Sequence, residues 1–192
     1  MFTTFYTSRF LSPLSALHHS SVEYLFLLFS LLSLLMAWTA HRSCAKRHHA
    51  EHTLLVEDIL THDEFLKLKM FRHHTNHIYD HASRVSYLSY RISKALGLDY
   101  IAAARGGLLH DFFLYDWRER KASDDKRSSH GKEHPFIALE NAKTYFSVDE
   151  REQDIITKHM FPKTLALPRY PESVVVSISD KLSAIYEYLA RP

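Results

Sequence analysis

The run Asp99-Tyr100-Ile101-Ala102-Ala103-Ala104-Arg105-Gly106-Gly107-Leu108-Leu109-His110-Asp111-Phe112-Phe113 decides the fold. From Tyr100 to about Phe113 it is apolar on nearly every side, which reads as a helix buried all round at the centre of the molecule. Asp99 is placed to cap it. Gly106 and Gly107 each cost roughly 1 kcal/mol against alanine in a helix, a cost that a close helix–helix approach would justify. His110 and Asp111 close the run. Adjacent helical positions lie about 100° apart, so both side chains are expected to point into one cavity from the last turn.

Helices are expected on either side of this segment. Upstream, Ile78, His81, Ala82, Val85, Leu88, Ile92 and Leu96 mark one face of a longer helix ended by Gly97. Before it, Thr61 and Glu64 have the spacing of a capping box opening a short helix through Leu68. Downstream, Glu119 to Lys132 reads as a polar loop. Pro135 suits the first turn of the next helix, and Ser147 with Glu150 is expected to cap the one after. A proline-rich connection, Pro162 to Pro171, leads into a last helix ending near Leu189. That helix carries Asp180 in line with Val176 and Ala184, beside a second line expected to be buried: Ile178, Leu182, Ile185 and Leu189. Only four glycines and six prolines occur in 192 residues, and no alternating strand-like run stands out. The chain is expected to be all-α.

Composition bounds the function. A hydrophobic fraction of 46% with 24% charged residues is that of one folded domain with some length to spare. The net charge of +2 gives no argument for a stable nucleic-acid partner. A lone cysteine, Cys44, excludes an internal disulfide framework and a cysteine-based zinc site.

The N-terminal part differs from the rest. After a leader, residues 1–21, the stretch 22–40 is almost continuously apolar, and about twenty such residues span a bilayer core. It reads as a single transmembrane helix. Arg42, Lys46 and Arg47 come next within a basic, histidine-rich linker, residues 41–53, so the domain of residues 54–192 is expected on the cytoplasmic face of the cell membrane. The competing reading is a start codon assigned too early, with translation from Met36 and a soluble cytoplasmic protein.

Fifteen histidines are the compositional oddity. Those in the clumps from His41 to His52 and His73 to His77 read as solvated surface. The isolated ones fall on apolar helix faces: His81 four residues before Val85, His110 on the central run, His159 four after Ile155. His134 immediately precedes Pro135. Asp180 between small apolar neighbours is costly to bury unless a cation or hydrogen bonds compensate it. Six imidazole and carboxylate groups without a thiolate suit iron(II), manganese(II) or another first-row ion. Two divalent ions sharing Asp111 would clamp a phosphoryl group and acidify a water into a hydroxide nucleophile.

His81, the pair His110-Asp111 and Asp180, in that order and in those apolar contexts, resemble the H…HD…D signature of the HD superfamily of helical metal-dependent phosphohydrolases. The resemblance covers about Glu64 to Tyr188. His134 and His159 are similar to the two intermediate ligands of its dinuclear subfamilies. The resemblance therefore implies one metal on His81, His110, Asp111 and Asp180, and a second on Asp111, His134 and His159. It implies hydrolysis of a phosphate ester or anhydride of a nucleotide-like small molecule. Many members continue the pair with a phosphate-binding lysine, where this chain has Phe112 to Arg118. Arg84, one turn after His81, and Lys181, next to Asp180, are then the expected cations for phosphate oxygens, with Asp111 as the catalytic bridge. Tyr115 and Trp117, with Arg118, Arg120 and Lys121, follow the site in a loop that could stack a base and hold phosphates, the alternative being that Trp117 simply packs the loop down. The alternatives are a regulatory module that binds metal or nucleotide without turnover, and a di-iron oxygenase of the same fold.

Overall fold

A computed structural model of the chain describes residues 13–73, 76–116 and 130–190, with side chains described for 26–71, 77–116 and 130–190. The architecture is all-α, apart from one antiparallel pair of two-residue strands. The elements run α1 (Pro13–Leu55), α2 (Glu57–Leu60), α3 (Asp63–Leu66), a 3₁₀ turn (Lys67–Met70), β1 (Arg72–His73) and β2 (Asn76–His77). They continue with α4 (Ile78–Ala95), α5 (Tyr100–Leu109), α6 (His130–Tyr145), α7 (Glu150–Lys158) and α8 (Pro171–Leu189). The chain divides into two units, one ending at Arg47 and one beginning at His48.

In the first unit, the stretch of α1 that begins at Phe26 is long and apolar enough to cross a membrane. Its apolar side chains from Phe26 to Trp38 are exposed. Residues 41–53, expected as a linker, are helical throughout.

The second unit starts with the end of that helix. His52, expected on the surface, is buried there. Its Nε2 donates to Ser86 Oγ at 2.8 Å, and Ser86 Oγ in turn donates to the Ala104 carbonyl at 2.6 Å. This chain of bonds ties α1, α4 and α5 together, with Tyr87 and Tyr90 packed edge-on or tilted against the His52 ring.

At the centre is α5, capped by Asp99, which accepts from Ala102 N at 3.0 Å, and in contact with α4, α6, α7 and α8. Its glycines allow that. A Cβ on Gly107 would stand 3.1 Å from the Ser86 backbone, and one on Gly106 would stand 2.7 Å from Ile155. Small residues therefore line the α4–α5 seam: Ser86 and Ser89 are buried beside Gly107. Leu88 and Ile92 are only partly buried and Leu96 is exposed, against expectation. Gly97 does end α4, at φ 68°, with Leu98 N bonded to Ser93 O in a C-terminal cap.

The same substitution of small for large recurs on α8. Ser173, Ser177, Ser179 and Ser183 are buried, whereas Ile178, Leu182, Ile185 and Leu189, expected in the core, are exposed. Close helix approach leaves room for serine, not for leucine.

Helix boundaries also depart from expectation. His62, not Thr61, caps α3, its Nδ1 accepting from Glu64 N at 3.2 Å. The capping box of α7 uses Asp149 and Glu152 rather than Ser147 and Glu150. Pro135 lies inside α6, which already includes His130. The central helix stops at Leu109, four residues short of Phe113.

Candidate metal centre

Because α5 ends at Leu109, His110 is its C-terminal cap and Asp111 begins the next turn. Four other elements bring their groups to this turn: His81 from the first turn of α4, His134 from α6, His159 from the C-cap of α7, and Asp180 from the middle of α8. All six residues expected as ligands meet here. They form two triads, His81–His110–Asp180 and Asp111–His134–His159, each with potential ligand atoms within 4.8 Å of one another.

Asp111 faces both triads. Its Oδ2 is 3.5 Å from His110 Nε2, and its Oδ1 is 3.2 Å from His134 Nε2 and 3.6 Å from His159 Nε2. Asp180 Oδ1 lies 3.1 Å from His81 Nε2 and 3.9 Å from His110 Nε2.

The outer nitrogens decide what the inner ones can do. Nδ1 of His110 donates to Gly107 O at 2.8 Å, that of His134 to His130 O at 2.7 Å, and that of His159 to Ile156 O at 2.8 Å. Nδ1 of His81 is 3.0 Å from a carboxylate oxygen of Glu187. With each Nδ1–H committed outward, every Nε2 presents a lone pair inward, the tautomer of a metal-ligating imidazole. His110 Nε2 is buried and makes no hydrogen bond among the described residues. The donor set fits divalent first-row ions.

The charges agree with a site that attracts cations. Burial works to raise the Asp111 carboxyl pKa, yet the neighbouring His110 charge and the His134 bond hold it well below the usual carboxylate range. Asp180 is lowered in the same way by His81 and His110, against burial. Burial works to lower His81, but its bonds to Asp180 and Glu187 lift it to about 10. His134 is also raised against burial, by Asp111. His159 is pushed down to about 3, by burial and then by the His110 charge.

A cavity of about 350 Å³ opens on this cluster and is lined by Asp111, His134, His159 and Asp180 together with Lys163 and Lys181. Lys181 donates to His159 O and Ser177 O, both at 3.0 Å, and its ammonium lies 3.8 Å from Asp180 Oδ2. Arg84 does not line the cavity. Its guanidinium is drawn to the buried Glu187 carboxylate and lies over the Tyr186 ring. His130, which sequence reasoning passed over, also lines the cavity, stacking on His134 with ring centroids 4.7 Å apart and bonding to Tyr115 OH at 3.1 Å. Its place one helical turn before His134 was the available signal. Glu187, seven residues after Asp180, carried the same kind of signal and was also missed. Trp117, Arg118, Arg120, Lys121 and His74 lie outside the described residues. His77 is the exposed N-cap residue of α4.

Such a helical body, with paired imidazole–carboxylate triads on one cavity, is of the kind found in metal-dependent phosphohydrolases. The HD domain family matches residues 78–185, more than half of the chain, and the chain belongs to that family. It is also similar to Ribonuclease Y of Pseudothermotoga lettingae, with 33% identity over 118 residues. The match covers 62% of this chain but only 20% of that protein, so the chain spans about a fifth of the relative's length. No solved structure gives a significant match.

Proposed function

We propose that the chain is a membrane-anchored, metal-dependent phosphohydrolase that cleaves a phosphate ester or anhydride of a nucleotide-like molecule. The observation that carries this reading is the shared orientation of four imidazoles, each with Nδ1 engaged outward and Nε2 turned toward Asp111 or Asp180. Two divalent ions held by the two triads would supply charge neutralisation at the phosphoryl group and an acidified water as nucleophile. Asp111 serves both triads with its two oxygens. Lys181 holds a positive charge at the rim, where phosphate oxygens would enter. The relative's name, Ribonuclease Y, adds an RNA phosphodiester to the candidate substrates.

Residues 22–40 serve as the anchor, and the basic flank Arg42, Lys46 and Arg47 keeps the downstream domain on the cytoplasmic side. The catalytic body is residues 54–192, which lie within the compact unit that begins at His48.

The test is metal analysis of the full-length protein purified anaerobically, then phosphate release from a panel of nucleoside phosphates, dinucleotides and short oligonucleotides. Wild type should retain iron or manganese and turn over a member of the panel. His110→Ala and Asp111→Ala should lose both properties. Full activity in either variant would overturn the reading.

A further inference from the structure

We propose that Glu187 is a positioning residue for the metal centre, fixing His81 through its Nδ1, and that Arg84 steadies Glu187 instead of meeting substrate. The inference rests on the reading that His81, His110 and Asp180 together hold a divalent ion.

Glu187 has no exposed side-chain surface, and a buried carboxylate is costly without a compensating partner. Its Oε1 is 3.0 Å from His81 Nδ1, and Arg84 Nη1 binds the same oxygen. Asp180 and Glu187 stand seven residues apart on α8, two turns, and so share one helix face. That face grips the His81 ring at both nitrogens: Asp180 at Nε2 and Glu187 at Nδ1.

The other three imidazoles use backbone carbonyls three or four residues behind them on their own helices. His81, in the first turn of α4, is held by a side chain from another helix. A carboxylate on Nδ1 fixes the ring and raises the basicity of Nε2 as a ligand more than a neutral carbonyl does. Arg84, three residues after His81 on the same helix, balances the buried charge and leaves its other side to the Tyr186 ring. This accounts for an arginine one turn from a metal ligand that nevertheless stays out of the cavity.

The experiment is a cobalt(II) titration of the metal-depleted full-length protein, following bound ions and the visible ligand-field spectrum, with thermal melting as the fold control. Wild type should bind two ions. Glu187→Gln and Glu187→Ala should weaken the His81 site about 10- to 100-fold and leave the Asp111–His134–His159 site unchanged. Glu187→Gln, which retains an acceptor oxygen, should lose less. Arg84→Met, at a half-buried position, should weaken the same site to a smaller degree. Two ions bound at wild-type affinity in folded Glu187→Gln would overturn the role of Glu187. An unchanged cobalt titration in Arg84→Met would overturn that of Arg84. Failure of the wild type itself to bind cobalt would instead remove the metal-centre reading beneath both.

Discussion

Nε2 of His134 lies 2.8 Å from Nε2 of His159, while both rings have committed their Nδ1 protons to backbone carbonyls. Two lone pairs meet at that distance only across a proton or a cation. The raised pKa of His134 and the lowered one of His159 put the proton on His134 in the metal-free protein.

Metal uptake should therefore release protons. His81 stands at about 10 and so carries a proton at neutral pH without metal, and His134 is raised against burial by Asp111. A cation must displace bound protons, and apparent affinity should rise with pH through the neutral range. Calorimetry in buffers of different ionisation enthalpy measures this directly. Metal binding without proton release would contradict the assignment of Nε2 as the inward, ligating nitrogen of these rings.

Lys181 should matter for turnover and not for metal retention. Its ammonium donates to His159 O and Ser177 O, lies 3.8 Å from Asp180 Oδ2 and lines the cavity. Lys181→Ala should cost about 10²-fold in kcat/KM with metal content unchanged. Loss of metal in that variant would show that the side chain chiefly braces the His159 end of α7.

The α4–α5 seam should be intolerant of one extra carbon. A Cβ at Gly107 would meet the Ser86 backbone at 3.1 Å, where no side-chain rotation relieves it. Gly107→Ala should destabilise by about 1–3 kcal/mol, read as a lowered Tm. Gly97→Ala meets no neighbour within 4 Å and should cost only its positive φ, about 1 kcal/mol.

His52 should make stability fall in mild acid. Burial depresses its pKa from 6.5 to about 4, so the unfolded chain binds the proton more readily. Its contribution is complete above pH 6.5 and is lost as pH falls toward 4. His52→Gln, which can still donate to Ser86, should flatten the difference between denaturant titrations at pH 7 and pH 4.5. Equal pH slopes in the two proteins would place the effect elsewhere.

The sequence alone determined the helical class, the central position of the run that starts at Tyr100, the need for Gly106 and Gly107, and the six candidate ligands. These are local signals: an apolar run, a glycine pair, and imidazoles on apolar faces in a recognisable order. Only tertiary structure decided which faces of α4 and α8 are buried. Hydrophobicity favours the leucine and isoleucine lines, but helices packed closely around a polar cavity admit serine on the inside and leave Ile178, Leu182 and Ile185 exposed.

The roles of charged residues also waited for the fold. Arg84 looked like a phosphate ligand from its distance to His81 along the chain, and Glu187 carried no role at all. The packing of α8 across α4 pairs them, because a buried carboxylate takes the nearest cation and the nearest imidazole proton. Spacing within a helix can be read from sequence, since one backbone geometry fixes it. Which helix lies across another depends on every side chain at the seam at once.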